Sequence, residues 1–320
     1  MNDVKLAETF FVDIQALKLA IHQKIVGQDS TIEFMLNALF CQGHCLLVGV
    51  PGLAKTRLVH TISSLVDLDF KRIQFTPDLM PSDIIGSEIL DAKRNFVFNR
   101  GPIFTNLVLA DEINRTPPKT QSALLEAMQE ETVSVSGTSY ELPSPFLVFA
   151  TQNPIEQEGT YPLPEAQLDR FLFMIKLEYP NFQDEMNVVR MTEVAAKIEE
   201  DVKPLLTISQ LLAFQGLIRR VPVSDHVVEA AVTMVHQTRP DNVLATEATK
   251  EFITWGAGPR ASQNLILAAK CRSLMHGRYS PNVEDIREVA VAVLQHRIIL
   301  SYKAESKGYS AADVIEKIIA

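Results

Sequence analysis

Apolar residues recur at helical spacing through residues 1–24, and again through TIEFMLNALF (31–40). IVGQDS (25–30) breaks the pattern between them. Short apolar runs then alternate with helical stretches: CLLVG (45–49), FKRIQF (70–75), NLVLAD (106–111), FLVFAT (146–151) and FLFMIKL (171–177). Runs of this length fit strands buried on both faces of a parallel sheet. The helical stretches between them include 55–66 and 117–130. The second has Thr116 as its expected N-cap and two prolines, tolerated in a first helical turn. The pattern predicts a three-layer α/β domain. Two segments interrupt it. Residues 86–102 read as a β-hairpin turning at Lys93–Arg94, and residues 132–143 as a second hairpin around Gly137. Neither is needed to close a sheet, so both are expected to project. Beyond EYPNFQDE (178–185) nearly every stretch is helical, including EMNVVRMTEVAAKIE (185–199). The chain therefore divides into an α/β domain over 1–182 and an all-α domain over 183–320.

Composition narrows the function. A chain of 320 residues has room for two cores, and 47% hydrophobic with 22% charged residues is ordinary for globular proteins. No apolar run approaches the roughly 18 residues of a membrane span. The N-terminal stretch lacks a basic-then-apolar signal pattern, so a soluble, cytoplasmic protein without membrane insertion is expected. The net charge of -9 argues against a sequence-blind nucleic-acid binder, which needs a basic face. Three cysteines (Cys41, Cys45, Cys271) suit a reducing compartment. CQGHC (41–45) lacks the second ligand pair of a zinc site; Cys41 is expected to close a helix and Cys45 to start a strand.

The chemistry concentrates at the ends of the predicted strands. LLVGVPGLAKTRL (46–58) nearly matches the phosphate-binding pattern G-x-x-x-x-G-K-[ST]. Gly49, Val50, Pro51, Gly52 and Leu53 form the loop, followed by Ala54 where the pattern has glycine, then Lys55, Thr56 and Arg57. Lys55 would reach the β- and γ-phosphates, and Thr56 would ligate Mg²⁺. Ala54 is expected to take a normal helical conformation at the start of the helix. LVLADEINR (107–115) ends an apolar strand in two acids: Asp111 to hold Mg²⁺ through water and Glu112 to orient the attacking water. In LVFATQNP (147–154), Asn153 is placed to bond the γ-phosphate or that water. Arg170 in PEAQLDRF (164–171) is a candidate arginine finger for an adjacent subunit's nucleotide. Arg260 in WGAGPRASQNL (255–265) opens a helix, where a cation is unfavourable for the dipole. It is expected to lean onto the γ-phosphate of its own subunit.

Taken in this order, the segments resemble those of AAA+ ATPases, and more narrowly of the MoxR family. The resemblance rests on VGQ (26–28), GVPGLAKT (49–56), FTPDLMPSDIIG (75–86), GPIFTNLVLADEINRTPPKTQSALLEAMQE (101–130), ATQNP (150–154), EGTYPLPEAQLDRF (158–171) and GPRA (258–261). It implies a P-loop NTPase core with a parallel five-stranded sheet, an all-α lid, and ATP or ADP with Mg²⁺ as cofactors. It also implies roles. Val26, Gly27 and Gln28 line the adenine pocket. Lys55 and Thr56 belong to Walker A, and Asp111 and Glu112 to Walker B. Asn153 is sensor 1, Arg170 the arginine finger and Arg260 sensor 2, while Arg115 lies near a subunit interface. Residues 86–102 match the helix-2 insert. The family spelling accommodates Ala54. A ring, usually of six subunits, is implied, acting as a chaperone on a protein client with a separate von Willebrand factor A domain partner. Other functions fit less of the sequence. A DNA-acting motor would use Lys93, Arg94 and Arg100, and a nucleotide-gated scaffold would not need the full set of acids and arginines. A GTPase lacks its N-K-x-D motif.

Overall fold

The structure, a computed structural model, describes residues 2–156, 159–195 and 203–319. Glu158, which opens the 158–171 motif, and the end of the helical reading over 185–199 lie outside the described residues. The chain opens with α1 (Asp3–His22), α2 (Asp29–Cys41) and β1 (His44–Val48), so Cys41 does close a helix. Then come α3 (Lys55–Leu65), β2 (Phe70–Gln74), α4 (Pro81–Ile85), β3 (Gly86–Leu90), β4 (Phe96–Arg100) and β5 (Leu107–Asp111). After a short 3-10 turn, α5 (Pro118–Glu130), β6 (Thr132–Val135), β7 (Thr138–Glu141), β8 (Leu147–Gln152), α6 (Glu165–Leu168) and β9 (Phe171–Lys176) complete the α/β part.

The main sheet has five strands in the order β2-β5-β8-β1-β9, and every neighbouring pair is parallel. Side chains alternate between its faces, as the period of two requires. Cys45, Leu47, Leu107 and Leu109 face one apolar core with α2 and α3. Leu46, Val108 and Ala110 face the other with α4 and α5. The three-layer arrangement follows. Both expected hairpins form as separate two-stranded ribbons, β3-β4 and β6-β7. They touch each other: Phe98 stacks on Tyr140 with ring centroids 4.3 Å apart, and Ser136 Oγ donates to Glu88 Oε2 at 2.8 Å.

Two local expectations are corrected. FKRIQF is not buried on both faces: β2 is an edge strand, with Lys71 and Arg72 exposed and Ile73 buried. Its pairing only with β5 leaves one side to solvent, which accommodates the two basic residues. The N-cap of α5 is Pro117 rather than Thr116, whose Oγ1 instead donates to Ile113 O.

The C-terminal region is helical: α7 (Phe182–Ala195), α8 (Ile208–Arg220), α9 (Asp225–Gln237), α10 (Glu247–Phe252), α11 (Pro259–Met275), α12 (Val283–Leu294), α13 (Tyr302–Ser306) and α14 (Ala311–Ile319). One short ribbon, β10 (Ile253–Trp255) with β11 (Ile299–Leu300), joins it. Its apolar core is continuous with that of the sheet's α2/α3 face, through α1 and α2. Phe10 packs edge-on against both Phe40 and Phe214 there. Among the described residues no helix is long and apolar enough to cross a membrane.

Candidate active site

A parallel sheet puts the C-terminal ends of its strands on one edge, and loops leaving that edge share one crevice. Here β1 leads into residues 49–54, β5 ends at Asp111, and β8 runs into Asn153. The loop closes on itself: Lys55 Nζ donates to Gly49 O at 2.7 Å. Burial pushes the Lys55 amine down from its ordinary pKa, while the Asp111 and Glu112 carboxylates oppose that shift. The ammonium therefore lies in the field of both acids.

Ala54 departs from expectation. It is left-handed, at φ 55° and ψ 22°, as the N-cap of α3. Glycine is the residue that takes this region without penalty, which explains why the phosphate-loop pattern carries it there. Next to the loop, residues 25–28 bring Val26 and Gln28 to a cleft of about 120 Å³ shared with Gly52, Leu53, Arg57 and Pro180. Gln28 Nε2 donates to Leu53 O at 3.1 Å, tying the two segments together. Gly27 has φ +65°, and a Cβ there would sit 2.8 Å from Asp184 Oδ2. A side chain there would be strained at that φ and would push the Asp184 carboxylate aside.

The acids are held by a network the sequence did not disclose. Asp111 is buried. Its Oδ1 accepts from Thr151 Oγ1 at 2.6 Å, and its Oδ2 accepts from Arg72 Nε at 3.0 Å and Nη2 at 2.6 Å. The Thr151 hydroxyl also accepts from the Glu112 amide at 2.9 Å. Glu112 Oε2 accepts from Gln74 Nε2 and Arg115 Nη1, each at 2.9 Å. Buried Asn153 accepts the Ile155 amide on Oδ1 at 3.1 Å. Lys55, Asp111, Glu112 and Asn153 thus sit at one edge of the sheet, with half-buried Thr56 beside Lys55.

Among the described residues no group of three or more His, Cys, Asp or Glu side chains could hold a metal. A magnesium ion bound with a nucleotide does not need one: it takes one or two protein oxygens, phosphate oxygens and water. The Asp111 carboxylate and Thr56 hydroxyl are donors of that hard-oxygen kind, and they fit.

Arg170 and Arg260 lie elsewhere. Arg170 precedes β9, whose Phe171 pairs with His44 at the start of β1. β1 has five residues, so this end is roughly 16 Å from the phosphate loop. Arg170 donates to Gln129 Oε1 through Nε at 3.2 Å and Nη2 at 3.0 Å. Arg260 Nη1 donates to Asp169 Oδ2 at 3.3 Å. The two arginines line one cleft of about 220 Å³ with His44 and Gln129. In this structure Arg260 thus faces Asp169 and not its own subunit's phosphate loop. The lid packs α11 on α2 and α1, which carries its N-terminus to the opposite edge of the sheet.

The sequence reading missed Arg72, Gln74, Thr151 and Arg297. Arg297, almost fully buried, donates through Nη2 to Phe171 O at 2.6 Å and through Nε to Asp169 Oδ1 at 2.8 Å. It fixes the turn that carries Arg170. For Arg72 and Gln74 a signal existed: polar residues two apart on one face of a predicted strand. For Thr151 and Arg297 a single sequence offers none.

A phosphate loop after β1, paired acids at the end of β5 with β8 between them, and a helical lid define an ATPase of the AAA class. The model of the ATPase family associated with various cellular activities (AAA) matches residues 44–173, and the AAA lid domain model matches residues 245–318. The chain belongs to the MoxR family of AAA+ ATPases. It is 44% identical over 317 residues to Chaperone MoxR1 of Mycobacterium tuberculosis, covering 98% of this chain and 83% of that one. It is 30% identical to Protein MoxR of Methylorubrum extorquens, covering 88% and 85%. The crystal structure of a candidate ATPase from Cytophaga hutchinsonii superposes with a TM-score of 0.91 at 43% identity, covering 98% of this chain and 96% of that one.

Proposed function

We propose that this chain hydrolyses ATP with magnesium, in a ring of identical subunits, and uses the cycle to remodel or mature protein complexes. The observation that carries the reading is the gathering of Lys55, Asp111, Glu112 and Asn153 at one edge of the sheet, with Arg170 and Arg260 together at the other. A site completed by a neighbour accounts for that separation. The division near residue 182 is part of the same reading, with α7 closing the adenine side of the cleft through Val188.

Residues 49–57 would wrap the phosphates with backbone amides, and Lys55 would meet the β- and γ-phosphates. Thr56 and Asp111 would hold magnesium, which supplies positive charge at the phosphate oxygens when bound. Glu112, steadied by Gln74 and Arg115, would orient the attacking water and take up its proton at the carboxylate. Asn153, at the adjoining strand end, would bond that water or the terminal phosphate. Charge developing on the transferred group would be met by Arg170, with Arg260 beside it, from the neighbouring subunit.

The joined hairpins expose Ile89, Leu90, Phe96 and Val97, an apolar tip suited to gripping a client. A relative named as a chaperone supports the client role. A separate von Willebrand factor A domain partner and six subunits enter on the family resemblance alone, while a cytoplasmic setting fits the three free cysteines.

The test is ATP turnover per subunit against protein concentration, with Arg170→Ala subunits mixed into wild type. The reading expects a rate that rises with assembly and falls more steeply than the wild-type fraction. A rate flat with concentration and proportional to that fraction would overturn the shared site.

A further inference from the structure

The proposed chemistry gives no role to Arg72, a charged side chain in the acidic site. It projects from edge strand β2, paired only with β5, in the register Arg72↔Leu109 and Gln74↔Asp111. Its guanidinium therefore reaches forward along the sheet to the carboxylate, with both Nε and Nη2 on the single oxygen Oδ2. The other oxygen, Oδ1, is taken by Thr151. A cation approaching Asp111 must then compete with Arg72 for Oδ2.

The two partners are unequally free. The Asp111 side chain is 11% exposed and sits on a strand buried along its whole length; the Arg72 side chain is 49% exposed. A half-exposed arginine on a sheet edge can move to water at little cost, whereas a buried carboxylate cannot, and pays heavily if left unpaired. Gln74 Oε1 also accepts from Arg72 Nη2 at 2.6 Å, a contact that can persist once Oδ2 is given up.

We propose that Arg72 is a displaceable counter-cation on Asp111: it neutralises the carboxylate in the empty site, yields Oδ2 to a divalent cation arriving with nucleotide, and so sets the cation concentration at which the site fills. This rests on the reading that Asp111 holds the metal. The ligand class is a hard divalent cation accompanied by a nucleoside diphosphate or triphosphate. Arg72 is a positioning residue, acting through Asp111.

The experiment titrates Mn²⁺ into the full chain with saturating ADP, following loss of the free Mn²⁺ electron paramagnetic resonance signal. Arg72→Gln removes the competing charge and should lower the Mn²⁺ midpoint by roughly three- to tenfold. Arg72→Lys keeps the charge but loses the two-nitrogen contact, so its midpoint should fall between the two. If Arg72→Gln fails to fold, the Arg72→Lys shift decides alone. Without metal and nucleotide, Arg72→Gln should melt below wild type, and saturating Mn²⁺ and ADP should close that gap. An unchanged midpoint, or a raised one, overturns the proposal; a raised midpoint would mean that Arg72 helps to hold the loaded site. Asp111→Asn separates the two layers. If it leaves the Mn²⁺ midpoint unchanged, the metal-site reading fails. If it abolishes binding while Arg72→Gln shifts nothing, only the counter-cation fails.

Discussion

Gln74 Nε2 lies 2.9 Å from Glu112 Oε2, reaching it from the edge strand next to the one that carries the acid. Glu112 is itself left-handed, at φ 58°, so its side chain leaves the strand end at an angle that needs support. Gln74 and Arg115 both use Oε2, which leaves the carboxylate's other oxygen for water. Glu112→Gln should therefore lose about 10²- to 10⁴-fold in turnover and keep nucleotide affinity. Gln74→Ala should cost kcat roughly tenfold with KM little changed, because only orientation is lost. Steady-state kinetics with a fluorescent-ADP binding control checks both. Ordinary turnover in Glu112→Gln would refute its role.

Ala54 predicts a gain. It is exposed and left-handed at φ 55°, so its methyl group brings strain and no packing. Ala54→Gly should raise unfolding free energy by about 0.5–1 kcal/mol, the relief of the left-handed penalty less glycine's extra unfolded-state entropy. Chemical denaturation of the nucleotide-free protein measures this. A loss of stability would show that the loop relaxes around alanine at no cost.

The same residue marks where the sequence stops informing. Local signals carried the sheet, both hairpins and the acids at the end of β5, because each leaves a short periodic trace. Ala54's conformation left none, since the resemblance excuses the residue without saying what its backbone does. The placement of Arg260 has a longer-range cause. Its helix start is legible as GPRA, but which sheet edge it faces depends on how α11 packs against α2, set by contacts such as Asn37 Nδ2 to Ala268 O at 3.0 Å, more than two hundred residues apart in sequence. Arg72 was passed over because an edge strand was read as a central one.

His44 gives the fold an acid limit. Its Nδ1 accepts the Val148 amide at 3.0 Å and its Nε2 donates to Met128 O at 3.1 Å, so the neutral ring is fully used. Burial lowers its pKa from 6.5 to about 4. Between these values the unfolded chain binds a proton that the folded chain does not. The stabilisation is complete above pH 6.5 and is lost progressively as pH falls toward 4. Buried His296, also pushed down by burial and by Arg297, acts in the same direction. Urea unfolding at pH 7 and pH 5 should show His44 contributing about 2 kcal/mol of the difference. His44→Gln should reduce the pH dependence by that amount, whatever its effect at pH 7. An equal slope in both proteins would mean that His44 is protonated within the fold.

Arg260 and Lys55 lie at opposite edges of one sheet, and that separation can be tested with two inactive variants. Lys55→Ala should destroy a subunit's own phosphate site and leave its arginines intact. Arg260→Ala should do the reverse. If Arg260 serves a neighbour, some interfaces in a mixed ring join an intact loop to an intact arginine. An equal mixture should then recover about a quarter of wild-type turnover per subunit, since each of the two halves is present half the time in a head-to-tail ring. If Arg260 swings back to its own nucleotide, each subunit carries its own defect and no mixture recovers. The Arg260–Asp169 pair is half-exposed and holds Arg260 only weakly, and Asp169 keeps buried Arg297 in either case, so the contact itself does not choose between the outcomes. Turnover in the mixture, against each variant alone at the same total concentration, decides between them.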